Sequence, residues 1–202
     1  MKVNRILLFI FLIPGFQASI AQHKNSGYLT SIKAYQQNYM VTHEVVKRID
    51  RKYFRFFPIE KSYQVRCQFE KEMDTIGFTM KTSANTLQHY FKYGRLDFYL
   101  SGIACHLYVY QSQDLMKQSK YKEYLFVPFT DSTTGNESYG SGRYLEFNIP
   151  EIKNNLLLLD FNKAYNPYCA YANGFHCPLP PRENHLPVYV RAGEKSFGKE
   201  HH

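Results

Sequence analysis

Apolar residues in the first quarter of the chain recur at helical spacing. Between residues 27 and 57 the recurring positions are Ile32, Tyr35, Tyr39 and Val46. Residues three and four apart share one face of a helix, and no proline interrupts the pattern before Pro58. The spacing therefore predicts a helical segment that ends at Pro58, with a second helical piece beginning near Thr42 and turning Val46 and Ile49 to its apolar side.

After Pro58 the apolar positions alternate with polar ones, which is typical of half-buried strands. The pattern predicts strands at residues 63–69, 78–80, 87–93, 96–100, 103–109, 125–129, 143–149, 156–161 and 187–192. Tight turns are expected at Tyr93-Gly94 and Ser101-Gly102. The sequence thus predicts a meander of eight or nine antiparallel strands.

No repeat, low-complexity run or linker divides the chain. We expect one mainly β domain over residues 22–202, with a helical segment at 22–57 and the sheet with its signature loop at 58–195. The fold class is an antiparallel meander that forms a small barrel or sandwich, with the helical segment packed on it. A barrel of this size either fills its interior or holds one small ligand.

The first 21 residues have the layout of a signal peptide. Lys2 and Arg5 precede an unbroken apolar run from Ile6 to Ile13, and Ser19-Ile20-Ala21 is a small-x-small cleavage site. The apolar run is too short to span a membrane. These features predict an exported protein, periplasmic or secreted, whose mature chain begins near Gln22 and has no transmembrane span.

Composition argues against nucleic acid as a partner. Removing Lys2 and Arg5 with the signal peptide lowers the net charge from +8 to +6, and the remaining basic residues are scattered apart from a cluster at residues 47–55. The chain has 18 Tyr, 16 Phe and no Trp, a composition that suits half-buried sheet positions and pocket walls. No nucleotide, phosphate or other cofactor motif is present, so no cofactor is predicted; the oligomeric state stays open.

Four cysteines in an exported chain allow up to two disulfides in three possible pairings. Cys67 and Cys105 both fall on the apolar phase of predicted strands, so we expect them in the same core, bonded or free. Cys169 and Cys177 flank seven residues in a proline-rich loop, where a loop-closing disulfide is plausible. Together with His176 they fall short of a four-ligand spacing, and no metal site is predicted.

Polar residues gather where predicted strands end. Asp160 ends the most apolar strand, and Asn162 follows it in the same alternation phase. A carboxylate in such a place needs a partner, and the planar fork of Arg143 is the best one on offer. We therefore expect Arg143, Asp160 and Asn162 to converge in one polar cluster beside Tyr139 or Tyr165. The simpler alternative is that these residues cap turns and form ordinary ion pairs.

Four stretches of the chain resemble one bacterial family, known as domain of unknown function 1684. They read LFVPFTDSTTGNESYGSGRYLEF at 125–147, DFNKAYNPYCAY at 160–171, CPLPPREN at 177–184 and AGEKSF at 192–197. The resemblance implies a shared fold and a shared site, without an activity. The motif positions it points to include Asp131, Thr133, Tyr139, Arg143, Tyr144, Asp160, Asn162, Tyr165, Asn166, Cys169, Tyr171, Cys177 and Asn184.

These observations favour a binding module for a small polar ligand, because tyrosine-rich walls with a few convergent polar groups are typical of binding pockets. The predicted ligand-binding residues are Asp131, Tyr139, Arg143, Asp160, Asn162, Tyr165, Tyr171 and Asn184. One alternative is a hydrolase that uses Asp160 or Cys169 at the same site, with no catalytic residue assigned beyond these. A second alternative is a structural domain without a ligand.

Overall fold

The computed structural model describes residues 15–72 and 74–199, with side chains from residue 26 onward, so most of the predicted signal peptide lies outside the described residues. Within these ranges there are two α-helices, α1 (Gly15–Thr42) and α2 (Gln113–Met116). The strands are β1 (Gln64–Lys71), β2 (Phe78–Lys81), β3 (Leu87–Leu100), β4 (Ile103–Ser112), β5 (Tyr124–Asp131), β6 (Arg143–Asn148), β7 (Leu156–Asp160) and β8 (His185–Leu186). Short 3-10 helices occur at Arg48–Tyr53, Lys61–Tyr63, Ser119–Tyr121, Ile149–Glu151, Phe161–Lys163, Tyr168–Ala170 and Arg182–Asn184.

The strands form one sheet in the order β6-β5-β4-β3-β1-β7, with β2 added to β3 and β8 added to β5. The sheet is mainly antiparallel and curls into a half-barrel, which confirms the predicted fold class. The pairing of β8 with β5 is parallel, although antiparallel strands alone were predicted. The difference arises because the chain reaches β8 through the long loop after β7 rather than through a hairpin.

The inner face of the sheet carries the main core, as the alternation predicted. In β1, Val65, Cys67 and Phe69 are buried while the residues between them are exposed. Cys67 and Cys105 lie in this same core with free thiols, which confirms their shared location. Burial in an apolar environment raises the pKa of the Cys67 thiol to about 12, so this group is an inert core residue.

Helix α1 packs on the half-barrel through its tyrosines. The hydroxyl of Tyr28 donates to Asp160 at 2.9 Å, and the hydroxyl of Tyr35 donates to the Lys163 carbonyl at 3.2 Å. Ile32, between them on the same face, is buried. The helix therefore docks against the end of β7 and the turn that follows it. No helix in the described part of the chain is both long and apolar enough to span a membrane.

The helical segment is shorter at its end than predicted. After α1 ends at Thr42, the ring of His43 accepts hydrogen bonds at Nδ1 from the backbone N–H groups of Val45 (3.3 Å) and Val46 (3.0 Å). These bonds replace the helical ones and turn the chain. Val46 is buried as expected, but Ile49 is 75% exposed, and the predicted second helical piece is a six-residue 3-10 helix, Arg48–Tyr53.

One predicted turn in the sheet is wrong. Gly94 was expected to separate two strands, yet β3 runs through it for 14 residues. The register with β4 shifts between Lys92 and Gly94, so the glycine sits at a bulge. A Cβ at Gly94 would lie 2.5 Å from the ring of Phe69, so a side chain does not fit where the neighbouring strand passes.

The predicted strand at residues 187–192 is also wrong, although its alternation is right. Val188, Val190 and Ala192 are buried while Tyr189 and Arg191 are not. The backbone carbonyls of Val190 and Ala192 accept hydrogen bonds from the Arg143 guanidinium, so a side chain holds this extended segment where a strand would otherwise pair.

Candidate functional site

The outer face of the sheet forms the floor of a cavity of about 650 Å³. Side chains in strands point alternately to the two faces. In β6, Leu145 and Phe147 enter the core while Tyr144 and Glu146 reach the outer face, and in β5 Tyr124 and Phe126 do the same. A layer of aromatic residues therefore stands where an ordinary sheet would face solvent.

Nine aromatic side chains line this cavity, which we call the tyrosine cavity. The strands contribute Tyr90, Tyr124, Phe126 and Tyr144. Helix α1 contributes Tyr35 and Tyr39, and the loop after β7 contributes Tyr165, Tyr168 and Phe175. Ring contacts join many of them edge to face; the Phe126 and Tyr144 centroids are 4.7 Å apart and those of Tyr144 and Tyr165 are 5.8 Å apart.

The loop after β7 is fixed over the cavity by backbone bonds and a disulfide. Tyr144 and Tyr165 exchange two backbone hydrogen bonds, which attaches the loop to the start of β6. Further along, Cys169 and Cys177 are disulfide-bonded, with Cα atoms 6.3 Å apart, which answers a question that the sequence left open. The hydroxyl of Ser83 contacts the Phe175 carbonyl at 3.2 Å and accepts from the Cys177 N–H at 3.2 Å. The cavity wall is thus held at both ends.

Among the residues that the structure describes, three carboxylates and no lysine or arginine line the tyrosine cavity. Glu146 accepts from the hydroxyls of Tyr124 (2.6 Å) and Tyr165 (2.7 Å) at the same oxygen, Oε2. Glu44 accepts from Tyr168 at 3.3 Å, and Asp114 pairs with Lys117 on the surface. Burial, together with the Glu146 charge, raises the pKa of Tyr35 to about 12, so this phenol remains a neutral donor.

His43 lines the same cavity and is neutral at physiological pH. Burial, with the nearby Arg51 charge, lowers its pKa to about 4. Because Nδ1 accepts two backbone N–H groups, the proton of the neutral ring is on Nε2. The His43 side chain is only 7% exposed, and its Nε2 has no hydrogen-bond partner among the described residues.

The predicted cluster of Arg143, Asp160 and Asn162 does not form as one unit. Arg143 Nη2 donates to Asp131 Oδ2 at 2.8 Å, and both side chains are fully buried on the core face, away from the cavity. The pairing of Arg143 with Asp160 was therefore wrong. Asp131 lies at the end of β5, which is the direct neighbour of β6 where Arg143 begins, whereas Asp160 lies at the far edge of the sheet.

Asp160 and Asn162 do meet, as predicted. Asn162 Nδ2 donates to Asp160 Oδ1 at 2.9 Å and to the Glu60 carbonyl at 2.9 Å. Asp160 also accepts from the Tyr28 hydroxyl and from Gln64 Nε2 at 3.2 Å. The carboxylate is satisfied by neutral donors, and the arrangement ties α1 to the end of β7.

A second buried cluster surrounds Glu194, which is fully buried. Its Oε2 accepts from the Tyr171 hydroxyl at 2.6 Å and from the Asn166 N–H at 3.0 Å, and Tyr39 approaches it at 3.4 Å. Burial raises the pKa of Glu194 to about 7, and these hydrogen bonds limit the rise. Tyr171 thus belongs to this cluster, and Tyr39 connects it to the tyrosine cavity.

Two further predicted residues have structural contacts. Asn184 Nδ2 donates to the carbonyls of Tyr108 (2.9 Å) and Pro128 (2.7 Å), and so joins β4 to β5 where few ladder bonds connect them. Tyr139 packs against a hydrophobic cluster that includes Val46 and Phe54. Of the eight predicted ligand-binding residues, Tyr165 alone lines the tyrosine cavity; Asp160 and Tyr165 also line a smaller cleft of about 240 Å³ between β6 and β7.

Glu146, His43 and Tyr144 were not selected as site residues from the sequence. The alternation in β6 contains a usable signal, because Tyr144 and Glu146 have the phase opposite to Leu145 and Phe147. His43 carried no such signal, since its place depends on where α1 ends. Among the described residues, no group of three His, Cys, Asp or Glu side chains is placed to hold a metal ion.

The fold and cavity define a half-barrel domain with an aromatic pocket on its outer face. The family model described as "Protein of unknown function (DUF1684)" matches residues 52–195, and the chain belongs to this family. A similar solved structure is the solution NMR structure of an uncharacterized protein from gene locus rrnAC0354 of Haloarcula marismortui. It is 28% identical, with a TM-score of 0.62, over 86% of this chain and 96% of that one. No protein with a curated description matches.

Proposed function

We propose that this domain binds a small polar ligand in the tyrosine cavity. The observation that carries the proposal is a preformed space of about 650 Å³ whose walls combine aromatic rings with a few polar groups, Glu146 and His43 among them. Pockets for small molecules have volumes of roughly 300–1,000 Å³ and this kind of lining. The disulfide and the Tyr144–Tyr165 backbone bonds support it further, because a fixed wall lowers the entropy that binding must overcome.

The predicted hydrolase has less support than binding. Cys169 is bonded to Cys177, so it has no thiolate with which to attack a substrate. Asp160 accepts hydrogen bonds from Tyr28, Gln64 and Asn162, which occupy the carboxylate oxygens that a catalytic base would need.

The binding proposal can be tested by screening a fragment library against ¹⁵N-labelled protein. Hits are expected to shift the amide resonances of cavity residues such as Phe126 and Tyr165. Thr42→Trp places a large ring at the cavity mouth and should weaken such hits, whereas Val41→Trp is a matched control, because Val41 is exposed and does not line the cavity. If the hits shift only amide resonances outside the cavity, or bind Thr42→Trp as tightly as the wild type, the domain does not have this ligand site.

We also propose that the protein is exported. The support is the three-part N-terminal sequence, with cleavage expected after Ala21. Such cleavage would leave Tyr28, Ile32, Tyr35 and Tyr39 on the mature chain, and these are the residues by which α1 contacts the domain. Mass spectrometry of the native protein should give an N-terminus within a few residues of Gln22; a folded protein that retains Met1 would refute export by this route.

A further inference from the structure

Most rings of the tyrosine cavity have no protein cation over them. Elsewhere in the chain, lysine and arginine side chains lie over some ring faces, as Lys92 does 3.8 Å above Tyr108 and Lys71 does 5.0 Å above Tyr93. Among the nine rings of the cavity, only Tyr35 has such a neighbour within the described residues, namely Lys163 at 5.6 Å. The other eight rings have no lysine or arginine over them among the described residues.

The charge of the lining is negative, although the chain as a whole carries +8. Glu44, Asp114 and Glu146 line the cavity, and His43 is neutral there because burial lowers its pKa to about 4. Asp114 is already paired with Lys117. Glu146 makes no salt bridge with any described residue, and it accepts hydrogen bonds from the neutral phenols of Tyr124 and Tyr165.

We infer that the tyrosine cavity selects an organic cation, such as a substituted ammonium group on an apolar body. Aromatic faces attract a desolvated cation through their quadrupole, and the Glu146 carboxylate, whose described hydrogen-bond partners are neutral, supplies the counter-charge. Glu146 stands at the rim of the wall formed by Tyr144 and Tyr165, so a cation bound against these rings would lie beside its carboxylate. An anion would meet three carboxylates and, within the described part of the chain, no lysine or arginine in the lining.

This inference rests on the proposed function, since it names the class of ligand for the same cavity. A set of three probes of similar size separates charge from shape: 2-phenylethylammonium, 2-phenylethanol and 3-phenylpropionate. Each is titrated into the full ¹⁵N-labelled chain, and dissociation constants are taken from the shifts of cavity amides. The cation should bind about tenfold more tightly than the alcohol, and the anion should bind weakest.

Glu146→Gln provides the second arm. Glutamine keeps a carbonyl oxygen that can accept from Tyr124 and Tyr165, so the wall is retained while the charge is removed. The variant should weaken the ammonium probe about tenfold and leave the alcohol unchanged. Glu70→Gln is the matched control, because Glu70 is an exposed carboxylate paired with Arg95 outside the cavity and its loss changes the net charge equally.

The outcomes distinguish the inference from the proposed function. Equal binding of the three probes in the cavity, or a preference for the anion, would overturn the charge selectivity while leaving the cavity a binding site. The same cation affinity in wild type and Glu146→Gln would also overturn it. If no probe shifts cavity amides at millimolar concentration, both the inference and this use of the cavity fail. If Glu146→Gln does not fold, the wild-type probe series decides alone.

Discussion

Arg143 and Asp131 form a fully buried ion pair, with Nη2 and Oδ2 2.8 Å apart and neither side chain exposed to solvent. The same guanidinium donates to the carbonyls of Val190, Ala192 and Glu194, so it holds the segment after β8 against the core. Burial lowers the pKa of Arg143, and the Asp131 charge opposes that effect. The pair is therefore a structural centre on the face of the sheet opposite the tyrosine cavity.

Removing one partner of this pair should be costly. Arg143→Met leaves Asp131 buried without its counter-charge and frees three backbone carbonyls, so we expect a loss of about 3–5 kcal/mol in the free energy of unfolding. Urea denaturation measures it. Arg191→Met is the matched control, because its partner Glu137 is partly exposed and such pairs contribute about 0–1 kcal/mol. Equal losses in the two variants would contradict the buried-pair argument.

Glu194 should make stability depend on pH near neutrality. Its pKa rises from 4.5 to about 7 on folding because the carboxyl is buried, so its favourable contribution is full below pH 4.5 and is lost as the pH rises to about 7. Glu194→Gln imitates the protonated form. The stability of the wild type relative to this variant should fall by about 3 kcal/mol between pH 4.5 and 7.5, as measured by urea denaturation.

Glu137 provides an internal contrast for that experiment. The Arg191 hydrogen bond lowers the pKa of Glu137, so its contribution is present at neutral pH and is lost on acidification, which is the opposite direction. A wild-type profile that Glu194→Gln leaves unchanged between pH 4.5 and 7.5 would show that Glu194 ionises normally in the folded protein.

His43 should destabilise the fold in acid. Burial lowers its pKa from 6.5 to about 4, so the stability it contributes is present above pH 6.5 and is lost as the pH falls towards 4. His43→Asn can still accept the Val45 and Val46 N–H groups through its side-chain oxygen and has no charge to gain. The free energy of unfolding of His43→Asn, measured by urea denaturation, should therefore fall less than that of the wild type between pH 6.5 and 4.

Direct observation completes the test of His43. The ring resonances of His43 in an NMR titration should move with a midpoint near pH 4. A midpoint at 6.5 would mean that the ring is hydrated, and the description of the cavity lining as uncharged at this position would have to be abandoned.

The disulfide should stabilise the wall of the cavity. Closing a loop of this length contributes about 2–3 kcal/mol through the entropy of the unfolded chain. Cys169→Ser with Cys177→Ser should lose that amount in urea denaturation, and a reductant should lower the stability of the wild type to the same value. The reductant should leave the double variant unchanged, because Cys67 and Cys105 are free thiols. An unchanged wild type under reducing conditions would contradict this prediction.

The sheet could be predicted largely from the sequence because its two faces differ in kind. In β1 and β4 polar residues alternate with core residues, and period two fixes both the strand and its inward side. The errors occurred where a single contact outweighed the local pattern. Gly94 lies in a continuous strand, packed against Phe69, and does not form a turn. Residues 187–192 do not form a strand, because the Arg143 guanidinium donates hydrogen bonds to the backbone carbonyls of Val190 and Ala192.

The site was harder to predict, for a related physical reason. Asp131, Arg143, Asp160 and Asn162 were chosen because polar groups at strand ends need partners, and each does have partners, but within the protein. These four groups are buried, and a buried group that is paired internally is not available to a ligand. Glu146 was passed over because it lies in the middle of a strand; its importance depends on the opposite face of the sheet being covered by the loop that carries Tyr165.

The chain segment before β1 and the segment after β8 are joined to each other by backbone hydrogen bonds. The Phe57 N–H donates to the Gly193 carbonyl, the Lys195 N–H to Arg55, and the Gly198 N–H to Tyr53. During synthesis, therefore, the seam between residues 53–57 and 193–198 cannot close until every strand has left the ribosome. Such long-range closure slows folding and delays the burial of apolar surface. The half-barrel of a nascent chain therefore has to remain open until residues 193–198 have emerged.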